Sequence, residues 1–127
     1  MADKTIEEVV ISYLNNHNDI EYPAYGDTPY KNQLPAHHYM VEKTGSTTMD
    51  RLATAQVTIQ SVTVQSKAQA ARMNERMTAM MGGIVGTSGI SACHLNSDYD
   101  YTDTTTKRWR YQAVFDITYN REVLSNG

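Results

Sequence analysis

A single cysteine, Cys93, excludes a disulfide within the chain and suits a reducing compartment such as the cytoplasm. No apolar run approaches the roughly 20 residues a membrane-spanning helix needs. The N-terminus shows neither the basic start nor the apolar core of a signal peptide. Proline and glycine are sparse, at three and seven, and no low-complexity tract or internal repeat is present. A basic excess is missing too: a net charge of -3 argues against a general nucleic-acid binder. Large aromatics other than tyrosine are scarce, with one tryptophan and one phenylalanine.

What remains is 127 residues, 40% hydrophobic and 20% charged, expected to form one domain (residues 1–127) with a loose tail from about 120 to 127. A chain of this length buries about two-thirds of its extended surface. Six of its fourteen acids fall in the first thirty residues, against one lysine there.

The strongest pattern lies at 107–119, KRWRYQAVFDITY, where Trp109, Tyr111, Ala113, Phe115, Ile117 and Tyr119 alternate with Arg108, Arg110, Gln112, Asp116 and Thr118. A period of two places the first set on a buried face and the second toward water or a partner. It predicts a strand in the middle of an antiparallel sheet, with most large aromatic burial centred on it. Residues 51–64 alternate likewise, with Ala53, Ala55, Val57 and Ile59 facing in and the alanines leaving room for a helix. Shorter strands are expected at 38–43 and 90–97, a brief extended piece at 19–25, and polar connections at 44–50 and 98–106.

Two helices are expected. At 5–16, Thr5 and Glu8 fit a capping box, and Ile6, Val9, Val10, Tyr13 and Leu14 make one apolar stripe. From Ser66, paired with Gln69 in a second box, a helix runs to Met81 with Ala70, Met73, Met77, Met80 and Met81 inward. Gly82 and Gly83 supply the stop. The order predicts an α+β domain: an antiparallel sheet of about four to five strands with two helices packed on one face.

Chemical motifs are scarce. His37 and His38 are adjacent on a strand, so they point to opposite faces and do not converge on one ion. His17 and His94 have no ligand-spaced Cys, Asp or Glu beside them. Asp98, Asp100 and Asp103 begin like a calcium loop, but the glycine and final glutamate positions hold Asp103 and Trp109. Cys93 and His94 diverge, as neighbours on a strand do, so they make no catalytic pair. MGGIVGTSG follows a helix and lacks the Lys-Ser/Thr ending of a phosphate loop. Arg108 and Arg110 interleave with aromatics, yet those aromatics are expected to be buried, which removes a stacking platform for nucleic acid. The residues therefore predict no enzyme, cofactor or metal.

The segment HLNSDYDYTDTTTKRWRYQAVFDITYN, at 94–120, resembles the tail terminator (tail completion) proteins of long-tailed, non-contractile bacteriophages. HYMVEKTG at 38–45, ATAQVTIQSVT at 53–63, the SKAQAARMNERM helix and the TIEEVVISYLNN helix share in the likeness. It implies an antiparallel sheet with flanking helices. It also implies a structural virion protein at the tail-head junction, assembled in the host cytoplasm. Such proteins form a ring, usually hexameric, that caps the tail tube, ends its polymerisation and meets the head-closure or connector protein, while DNA passes through.

A ring needs two unlike patches per subunit. Lys67, Arg72, Arg76, Arg108 and Arg110 are the candidate subunit-interface residues, with the acidic N-terminal region opposite the basic helix. The polar stretch Thr44, Gly45, Ser46, Thr47, Thr48, Met49 and Asp50 is a candidate arm. Asp98, Asp100 and Asp103 are candidate lumen-facing residues that would repel DNA. Alternatives are another phage neck component or minor capsid protein, or a small α+β ligand-binding protein or enzyme using His37, His38 or Cys93.

Overall fold

A computed structural model describes residues 5–16, 22–26, 35–49, 52–86, 89–102 and 108–120, the side chains of 46–49 excepted. The expected loose tail and the loop at 27–34 lie outside these residues, as do His17, Asp50 and Asp103. Helix α1 spans Ile6–Asn15, followed by β1 Ala24–Tyr25, β2 His37–Met49, β3 Leu52–Thr63, α2 Lys67–Met81, β4 Ile90–Asp100 and β5 Trp109–Asn120. The five strands lie in the order β1-β2-β3-β5-β4. Every pairing but one is antiparallel; β1 runs parallel to β2, which makes the sheet mixed at that edge.

Alternation decides which face is covered. Tyr39 and Val41, Ala53 to Ile59 at every second residue, and Ala113, Phe115, Ile117 and Tyr119 are buried on one side of the sheet. Ile6, Val9, Val10 and Leu14 of α1 and Met73, Met77, Met80 and Met81 of α2 join them in a single core. Both helices therefore sit on one face, as the stripes predict. Each such aliphatic side chain contributes about 1.5–3 kcal/mol when fully buried. Among the described residues no helix is long and apolar enough to cross a membrane.

The aromatic burial centres on β5 only in part. Phe115 and Tyr119 are buried there, but Trp109 and Tyr111, near the end of the sheet, are only half-buried. Tyr39 on β2 is a further buried ring, and its hydroxyl donates to the Met73 carbonyl at 3.3 Å.

The helix ends follow local chemistry. Thr5 Oγ1 accepts from the Glu8 N–H at 3.1 Å while Glu8 Oε1 accepts from the Thr5 N–H, a complete capping box. Ser66 caps Gln69 N–H in the same way, but the Gln69 side chain turns instead to Tyr22 and Arg72, so this box is half formed. α2 ends at Met81 with Gly82 as its C-cap, but without a left-handed residue: the Gly82 φ is -59°, and a 3₁₀ turn follows over Gly82–Ile84. The left-handed conformations come later, at Gly86 (φ 91°) and Gly89 (φ 80°), where the chain turns into β4.

Parts of both polar connections are strand. Residues 44–49 extend β2, paired with β3 beyond an irregularity between Lys43 and Gly45. The candidate arm is thus, over 44–49, part of the sheet, because β3 offers hydrogen-bond partners that no apolar alternation announces. Asp98 and Asp100 likewise complete β4 opposite Ala113 and Tyr111.

Candidate functional site

Among the described residues, one sheet face carries no helix. Alternation brings His38, Met40 and Glu42 of β2, alternate residues from Leu52 to Val62 of β3, and Arg110 to Asn120 of β5 to this open side. His94 and Tyr99 of β4 lie there too, opposite Asp116 and Gln112. A row of amides crosses the strands: Gln60 Nε2 donates to Gln112 Oε1 at 2.9 Å, and Gln112 Nε2 donates to Tyr99 Oη at 2.5 Å. Gln60 Oε1 in turn accepts from Arg110 Nη1 at 3.4 Å.

Arg108 and Arg110 sit at one end of this face, where Arg110, Val62 and His38 are neighbours across three strands. Nη1 of Arg108 and Nε of Arg110 are shut off from water and meet no acceptor. His38 is buried, and its Nδ1–H donates to the Pro35 carbonyl at 3.0 Å. Burial pushes its pKa down, and the positive charges of Arg108, Arg110 and His37 add to that. His37 projects the other way, with Nδ1 2.7 Å from Thr63 Oγ1 and its ring 4.7 Å from that of Tyr22. The two histidines thus occupy opposite faces.

The other sequence candidates gather on the helical side. Lys67 Nζ lies 2.9 Å from Asp100 Oδ2. The Thr102 hydroxyl, with Lys67 and the Thr102 N–H, holds the Asp100 carboxyl down at about 2. The Asp100 carboxylate raises the Lys67 pKa in return. Asp98 Oδ2 accepts from Asn74 Nδ2 at 2.8 Å. Both aspartates tie β4 to α2 while remaining exposed. Arg72 donates to Gln69 Oε1 at 3.3 and 3.0 Å, and Arg76 is exposed further along α2. The five basic candidates therefore form two groups, with α2 on one side of the sheet and β5 on the other.

The sheet also ends in unpaired strands. Among the described residues β4 pairs only with β5, and β2 meets β1 only at Tyr39 and Met40, so 41–49 of its outer edge has no strand beside it. Leu95, Tyr99 and Tyr101 are exposed at or just beyond β4, the two tyrosine rings packed edge to face at 6.1 Å. Sequence reasoning missed these edges because strand order is not written in periodicity.

Cys93, half-buried, has its thiol pushed up to about 11 by burial. Among the described residues no three His, Cys, Asp or Glu side chains come together where an ion would be held. No family model matches the chain, and no curated protein matches it.

Proposed function

We propose that this chain is a structural phage protein of the tail terminator kind. In this reading it closes into a ring, usually of six copies, on the last ring of the tail tube and stops its polymerisation. The ring then presents a surface to the head-closure or connector protein. DNA passes through the ring without being read, and the chain works by assembly, with no bond-making step.

The observation that supports this best is the pair of unlike edges that, among the described residues, have no strand beside them at opposite ends of one sheet, β4 and the outer part of β2. A heterologous contact between two different patches is what generates a closed cyclic assembly. Exposed edges left without such a partner invite uncontrolled pairing. The helix-strand order and the resemblance over 94–120 agree with the same reading.

Mass photometry and negative-stain imaging of the purified chain, alone and with the tail tube protein of its own genome, test it. Annular particles, free or on tube ends, are expected. A chain that stays monomeric with tubes present and leaves tube length unchanged overturns the proposal.

A further inference from the structure

Arg110 of β5 and Arg108, the residue just before the strand, are two residues apart at the end of the open face nearest His38. Two donor nitrogens of this pair, Arg108 Nη1 and Arg110 Nε, are screened from water and donate to nothing. A charged donor left unpaired away from water costs more than a neutral one, and native structures seldom keep one without a reason. Among the described residues no carboxylate is paired with either arginine.

The surroundings are arranged around that gap. Gln60 Oε1 receives Arg110 Nη1, and the Gln60 amide is fixed in turn by Gln112 and Tyr99. This leaves the Nε edge of Arg110 without an acceptor; that edge is one a carboxylate engages side-on. Val62, 1% exposed, lies between Arg110 and His38 across the strands and supplies an apolar floor. His38 cannot act as the counter-charge. Its Nδ1–H is committed to Pro35, and it shares its surroundings with two guanidinium groups.

We propose that Arg108 and Arg110 form a carboxylate-receiving site on the open sheet face, filled by an acidic side chain of a protein partner. A protein fits better than nucleic acid. A phosphodiester backbone crossing this face would meet Asp116 and Glu42, on a chain with a net charge of -3. The nearest source is a second copy of this chain: six of its fourteen acids lie in the first thirty residues. That source rests on the ring reading; the site itself does not.

The test follows the arginine Nε–H signals of the ¹⁵N-labelled full-length chain as glutarate is added, with chloride at matched ionic strength as control. Arg108 and Arg110 are expected to shift saturably, while Arg72 follows ionic strength alone. Arg110→Gln should weaken the glutarate response at least about tenfold, and Arg110→Lys, which keeps the charge without the planar fork, should fall between. Equal drift of all arginines, or an Arg110→Gln variant that responds like the parent, overturns the site. Tighter binding of a short DNA duplex than of glutarate at these two arginines overturns the carboxylate assignment.

Sedimentation of the parent and of an Arg108→Gln/Arg110→Gln variant then identifies the source. Lost self-association with an unchanged circular dichroism spectrum supports the second copy. Undiminished self-association overturns that source and assigns the carboxylate to another protein. A parent chain that never self-associates but still responds to glutarate removes the ring contact and keeps the site.

Discussion

The Tyr13 hydroxyl donates to the Met80 carbonyl at 2.7 Å, joining the last turn of α1 to the end of α2. Carbonyls near a helix C-terminus run short of helical partners, so this bond serves both helices. Gly83 makes the approach possible: a Cβ there would lie 2.7 Å from Tyr13 Oη and 3.9 Å from Cζ.

The relationship predicts a coupled pair of substitutions. Tyr13→Phe should cost about 1 kcal/mol for the lost hydrogen bond. Gly83→Ala should cost about 1–3 kcal/mol by overpacking. In the Tyr13→Phe background the obstructing oxygen is gone, so Gly83→Ala should be neutral or slightly stabilising. Urea denaturation of the four proteins of this cycle measures the interaction, and simple additivity would show that Tyr13 does not set the constraint.

His38 makes stability depend on pH with a definite sign. Its folded pKa lies below the ordinary 6.5, first because it is buried and then because Arg108, Arg110 and His37 are nearby. Below pH 6.5 the unfolded chain binds a proton that the folded chain resists, so this residue lowers stability as pH falls through that value. The loss levels off below the folded pKa. One proton sets a slope of at most about 1.4 kcal/mol per pH unit. The urea midpoint difference between the parent and His38→Gln should change from about pH 7.5 to about pH 5.5 in the direction that penalises the parent in acid. A constant difference across that range would count against a buried, neutral His38.

Much of the fold is legible in the residues because one periodicity dominates each segment. Ala53 to Ile59 and Ala113 to Tyr119 at every second residue, and Met73, Met77, Met80 and Met81, are buried as the patterns predict. Thr5 and Glu8 fix a helix start that needs no tertiary context. What the pattern hides depends on distant partners. Residues 44–49 have no apolar alternation, and their strand exists because β3 lies beside them. Asp98 and Asp100 look like loop residues, but Asn74 and Lys67 of α2 receive them on β4. Half of Gln69's expected box is lost to Tyr22 and Arg72. At the candidate site, alternation places Arg108 and Arg110 away from the core, but the neighbours that leave their N–H groups without acceptors come from other strands.

Cys93 should be slow to react. A thiol at about 11 instead of 9.0 carries about a hundredfold less thiolate near pH 8, and the thiolate is the nucleophile. Ellman's reagent at about pH 8 should label the folded chain at least about a hundredfold more slowly than the urea-unfolded chain. Comparable rates would place the thiol in water.

Arg72 and Arg76 separate the ring contact from the sheet's own stability. Both are exposed on α2; Arg72 donates only to Gln69 of its own helix, so Arg72→Glu alone should leave the melting temperature nearly unchanged, and Arg72→Glu/Arg76→Glu is the variant that probes the contact. If α2 faces the acidic N-terminal region of the next copy, the double reversal should weaken oligomers at low salt and matter less as salt screens the contact. A sedimentation profile identical to the parent's at low salt would take α2 out of the interface.

Leu95 tests the β4 edge directly. It is 46% exposed on a strand paired on one side only among the described residues, and its cross-strand partner Phe115 is buried. A lysine at an exposed edge position costs a monomer little, within about 0.5 kcal/mol, because the long stem reaches water. The same lysine under a neighbouring strand would bring an unpaired charge into the contact, and natural edges use lysine to prevent such pairing. Leu95→Lys should therefore keep the parent's urea midpoint and lose annular particles by negative stain. Intact rings from this variant would move the subunit contact away from β4, while a large fall in the midpoint would mean that Leu95 is packed within its own subunit more tightly than its exposure implies.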